Sequence, residues 1–95
     1  MIINSNFQTV EKEQIKFLKF PKEDVLNKKN AIANRFSDLE RALSLGNLEK
    51  EKVKIFFIDT DGLKKVETTI WGITDKSVIL KQSTIIPLRR IIGVA

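Results

Sequence analysis

From Lys52 onward, apolar and polar residues alternate with a period of two. Val53, Ile55 and Phe57 alternate with Lys52, Lys54 and Phe56, the pattern of a half-buried strand. Asp59-Thr60-Asp61-Gly62 predicts a tight turn, with a glycine available for positive φ. A long central strand follows from about Lys64 to Thr74. Its stretch Val66 to Ile73 ends in Trp71-Gly72, where a glycine allows a sharp bend. Asp75-Lys76 and Gln82-Ser83 read as turns. They bound a third strand, Ser77 to Lys81, and a fourth, Thr84 to Leu88. Arg89-Arg90 then leads into a last strand, Ile91 to Val94. Five short strands on tight turns predict a small antiparallel barrel.

Upstream the period is near 3.5. Val25, Ile32 and Leu39 are seven apart, as are Phe36 and Leu43, and this stripe predicts a helix over about 22–45. Pro21 suits its start, Glu23 and Asp24 suit its positive end, and Gly46-Asn47 suits its stop. Ser37-Asp38-Leu39-Glu40 is a capping-box pattern, so two helices abutting near Asn34 are the alternative to one. Before the helix, Gln14 to Phe20 alternates as a short strand, with a helix from Thr9 as its competitor. Residues 1–13 are polar and irregular and read as a mobile start.

The chain has 95 residues, enough for a single domain over 1–95. It has no apolar run near the ~20 residues of a membrane span and no signal-peptide pattern. With no cysteine, it is expected in the cytoplasm. The net charge of +5 admits an anionic partner such as single-stranded RNA, although such charge also serves plain dispersal in water.

Candidate chemistry is sparse. The absence of histidine and cysteine removes the commonest general base, the thiolate nucleophile and most transition-metal sites. Asp59-Thr60-Asp61-Gly62 has its glycine fourth, whereas a calcium loop needs it sixth and a glutamate at the twelfth position, here Ile70. No phosphate-binding glycine motif occurs. The carboxylates on turns read as solvated turn formers. Accordingly no enzyme activity, metal, cofactor, small-molecule substrate or membrane partner is expected. Trp71, beside the bending glycine, is expected to be buried under the helix or against another subunit; exposed, it would be a stacking platform. Arg89 and Arg90 read either as a phosphate-holding pair or as a solvated rim.

The order of helix, Val53-Lys54-Ile55-Phe56-Phe57-Ile58, Gly62 turn, bent strand, Ser77-Val78-Ile79-Leu80-Lys81-Gln82 and final Ile85 to Val94 resembles the Sm-like family. It is most similar to the family's bacterial RNA chaperone branch, Hfq, over about residues 37–95. The barrel half is also similar to small bacterial proteins of no known function. The Sm-like resemblance implies an α+β fold, with an N-terminal helix packed on a five-stranded bent antiparallel Sm/SH3-like barrel over about 52–95. It also implies ring assembly and binding of uridine- or adenine-rich RNA. Arg89 falls where that branch has its base-contacting histidine, while Pro87 and Leu88 replace its tyrosine and lysine. The nucleic-acid-binding candidates are Arg89, Arg90, Lys54 and Lys65 for phosphates and Phe56 for stacking. The alternative is a barrel that binds only protein, itself included, through an exposed edge. Pro87 belongs at a strand edge or end and favours a small homo-oligomer, a dimer before a hexamer.

Overall fold

The computed structural model describes residues 6–49 and 52–95. The period-two segments form strands in two sheets. β1 (Gln8–Thr9), β2 (Val53–Asp59), β3 (Gly62–Thr68) and β7 (Ile91–Val94) make a four-stranded sheet in the order β1-β3-β2-β7. β4 (Ile70–Ile73), β5 (Ser77–Leu80) and β6 (Ile85–Pro87) make a three-stranded sheet in that order. All pairings are antiparallel except β1 with β3. The one α-helix among the described residues, α1 (Lys29–Glu49), packs on β4 and β7, and a 3-10 turn (Lys12–Phe17) packs on β3 and β6. The architecture is α+β, with the two sheets linked through helical segments rather than joined by hydrogen bonds into a closed barrel.

Alternation along β2 points Ile55 and Phe57 inward, and their partners Val66 and Lys64 in β3 share that face. Ile70, Val78, Leu80, Ile86 and Ile91 complete the core from the other strands, and Leu39 and Ala42 from α1. Ile15, on the 3-10 turn, is also fully buried.

Several expectations are corrected. The central strand is not one strand bent at Gly72. It breaks at Thr69, where the chain leaves the first sheet as β3 and enters the second as β4. A Cβ at Gly72 would lie 3.7 Å from Ile79, an ordinary contact, so no backbone bend there demands glycine. Gly62 does meet such a demand, at φ 135°. The segment Gln14 to Phe20 is not a strand; Lys12–Phe17 is a 3-10 turn. Residues 8–13 are not irregular, because β1 pairs beside β3 and Val10 N–H donates to the Lys65 carbonyl. Asn6 and Phe7 form a turn leading into β1, and residues 1–5 of the expected mobile start lie outside the described residues.

The helix is single, begins at Lys29 rather than near 22, and runs past Gly46 to Glu49. Glycine inside a helix costs only about 1 kcal/mol relative to alanine, so it does not by itself stop one. Residues 21–28 stay unwound because tertiary partners take their polar groups. Val25 N–H donates to the Arg89 carbonyl, and the Pro21 and Glu23 carbonyls accept from Arg89 and Arg90. The buried face of α1 also differs from the apolar stripe. It carries Arg35, Leu39 and Ala42, while Ile32 and Phe36 remain partly exposed.

Candidate functional site

The five candidate residues fall into separate environments. Lys54 and Lys65 lie on the outer face of the four-stranded sheet. Lys54 stands opposite Glu67 and Lys65 opposite Phe56, so the two lysines are diagonal neighbours on one face. With Thr9, Val66 and Glu67 they line a shallow cleft of about 210 Å³. Phe56 shares this face but is only 7% exposed. Phe7 meets it edge-on, ring centroids 5.0 Å apart. An aromatic covered in this way offers no open surface for a base, which corrects its assignment as a stacking platform.

Arg89 and Arg90 sit in the 3-10 turn Leu88–Arg90, at the opposite end of β2 from Lys54. Arg90 is 8% exposed. Its Nε donates to the Ile58 carbonyl at 3.0 Å and its Nη1 to the Glu23 carbonyl at 2.8 Å. Four residues of strand, about 13 Å, separate Lys54 from Ile58. The four cations therefore do not converge, and Arg90 is a buried fastener of the strap before α1 rather than a rim residue. Arg89 is half-buried, its Nε donating to the Pro21 carbonyl at 3.3 Å.

Trp71 is not under the helix, which corrects that half of its expected placement. It is 55% exposed. Ile70 faces the core opposite Leu80, and alternation then turns Trp71 outward. A bulge between Ile70 and Gly72 places Trp71 and Gly72 together opposite Ile79 and returns Ile73 to the inside. On the same outer face, Ile79 pairs with Ile85 and Ser77 with Pro87. Ile85 is also well exposed. The 3-10 turn carrying the exposed Phe17 lies beside β6. The outer face of the three-stranded sheet thus presents Trp71, Ile79, Ile85 and Pro87 with no charged residue among the paired positions. Sequence alternation placed these residues on strands but did not mark the face as exposed, because neither sheet face reads as polar.

The turn carboxylates also differ from expectation in one case. Asp59 is buried, and its Oδ1 accepts from the Asp61 and Gly62 N–H groups at 2.8 and 3.0 Å and from Lys64 Nζ at 3.1 Å. This is a structural turn lock, not a solvated turn former. Among the described residues no cluster of three metal-ligating side chains occurs, and no helix is long and apolar enough to cross a membrane. Comparison with family models, curated proteins and solved structures finds no match to the chain.

Proposed function

We propose that this chain is a non-enzymatic, self-associating protein-interaction module of Sm/SH3-like type, docking through the outer face of its three-stranded sheet. The observation that carries the reading is the exposed Trp71 beside Ile79, Ile85 and Pro87, on a face whose paired strand positions carry no charge. Large exposed aromatics amid aliphatic neighbours mark protein-binding surfaces, where tryptophan is enriched among the residues that dominate affinity. The spatial orders β3-β2-β7 and β4-β5-β6, with a 3-10 turn before the last strand, support an Sm/SH3-like strand arrangement in two sheets without closure.

A second copy is the favoured partner on charge grounds. The chain carries +5 overall, and only an uncharged face lets two copies approach without burying like charges. Face-to-face contact is favoured over edge pairing in this sheet. The bulge at Trp71 disturbs edge strand β4, and Pro87, with no N–H, ends edge strand β6. RNA binding has less support, since it would draw on Lys54 and Lys65 without Arg90 or Phe56.

Sedimentation equilibrium tests the proposal. Wild type is expected to form a concentration-dependent dimer, and Ile85→Lys, which places a charge on the face, to remain monomeric. A strict monomer at millimolar concentration overturns the self-association.

A further inference from the structure

A cleft apart from this face carries an independent inference. About 280 Å³ opens where the first turns of α1 meet the β4–β5 turn and the 3-10 turn after β6. Ile32 and Leu88 supply its apolar lining; Arg89, Lys76 and Asp75 supply charge. Arg35 and Asp24 also line it, but they pair through two 2.9 Å hydrogen bonds and offset one another's charge, while the Arg35 Nε is buried without a partner. Arg89 differs. Only its Nε is engaged, and Nη1 and Nη2 have no hydrogen-bond partner among the described residues. The Nε bond aims the fork, and the Leu88 N–H to Lys76 carbonyl bond, 2.9 Å, ties the two basic turns together. The Lys76 ammonium also has no partner among the described residues, and Asp75 pairs with neither cation.

The Arg89 guanidinium, held by its Nε and with Nη1 and Nη2 open to the cleft, favours an anion, and its planar fork matches a carboxylate. Arg89 and Lys76 against Asp75 leave one net positive charge, which suits a monoanion better than a phosphate dianion. We propose that this cleft binds a carboxylate carried on an apolar body. Arg89 takes the carboxylate bidentately, Lys76 adds charge, and Ile32 and Leu88 receive the body. The source is either a free aliphatic acid or the C-terminal residue of a polypeptide. Lys76 directly precedes Ser77, and Leu88 directly follows Pro87, so a longer chain seated here would continue onto the outer sheet face.

Nitrogen-15 NMR titration of the intact chain tests this with N-acetyl-leucine, N-acetyl-leucinamide and inorganic phosphate. N-acetyl-leucine is expected to give saturable shifts at the Arg89 Nε–H and at the Ile32 and Leu88 amides. The amide is expected to bind about tenfold more weakly or worse, having lost the charge-assisted bonds. Arg89→Lys should weaken N-acetyl-leucine to a similar degree; if that variant does not fold, the acid–amide comparison on wild type decides. A leucine-terminated hexapeptide that binds more tightly than N-acetyl-leucine identifies a chain end as the source, and equal binding identifies a small acid. Equal affinity for acid and amide, phosphate binding as tight as the acid, or no saturable shift overturns the proposal. None of those outcomes touches the self-association through Trp71.

Discussion

Arg35 reaches from the inner face of α1 to Asp24 in the strap before it. Nη1 meets Oδ1 and Nη2 meets Oδ2, both at 2.9 Å, while Nη1 also donates to the Ile91 carbonyl at 3.0 Å. One side chain thus joins helix, strap and β7. The Arg35 side chain is 3% exposed and Asp24 31%. The Arg35 hydrogen bonds, helped by the Leu26 N–H, hold the Asp24 carboxyl below its usual pKa of 3.8 against the opposing effect of burial.

Asp24→Asn is therefore expected to destabilise the fold by about 1–3 kcal/mol. This falls below the 3–5 kcal/mol of a fully buried pair because water still reaches the carboxylate. A group with a lowered folded pKa contributes stability above its unfolded pKa and loses it as pH falls through the folded value. Wild type should lose this contribution below about pH 4, and the asparagine variant should flatten that part of the curve. Urea unfolding between pH 2 and 7 measures both.

The Asp59–Lys64 pair is buried on both sides. Lys64→Met leaves the Asp59 carboxylate without its cation and should cost about 3–5 kcal/mol. Asp59→Asn combined with Lys64→Met should cost less than the sum of the single changes, because neither buried charge is then stranded. A double-mutant cycle by denaturant unfolding reads the difference, and strict additivity would show that the pair is uncoupled.

Trp71 separates stability from association. Its exposed ring should emit like tryptophan in water in dilute solution and shift to the blue as the protein is concentrated. Trp71→Ala should change monomer stability by less than about 1 kcal/mol. It should weaken self-association by about 2 kcal/mol or more, roughly 30-fold in Kd. A blue-shifted emission already present in the dilute monomer would contradict the exposed position.

The two adjacent arginines are expected to respond differently. Arg90→Met strands the Ile58 and Glu23 carbonyls and should cost about 2–3 kcal/mol. Arg89→Ala removes one long hydrogen bond and should cost about 1 kcal/mol or less. Thermal unfolding of the two variants should give clearly separated midpoints.

Gly62 and Gly72 make a matched comparison. Gly62→Ala places a side chain at φ 135° and should destabilise by about 1–3 kcal/mol. Gly72→Ala meets only ordinary contact with Ile79 and should be nearly neutral. Equal effects would mean that the break in the central stretch depends on Gly72 after all.

The local chemistry of the chain was enough to place β2, the turn into β3, and strands β5, β6 and β7 within a residue or two. Alternation and turn residues act over a few neighbours, so they are legible in any short window. Pro87 at the end of β6 follows from the same kind of reasoning, since its missing N–H acts locally. Which faces are covered was decided by partners distant in sequence. Arg35 takes an inward position of α1 because Ile91, 56 residues away, supplies a carbonyl. Arg90 is buried because Glu23 and Ile58, 67 and 32 residues away, accept its donors. Those same bonds keep residues 21–28 out of the helix that their composition invites. A charged side chain is inward or outward according to whether the fold brings it a partner that offsets lost hydration. Trp71 is the converse: its strand is legible from local pattern, but the sheet leaves its outer face uncovered, and only the tertiary arrangement makes it a surface.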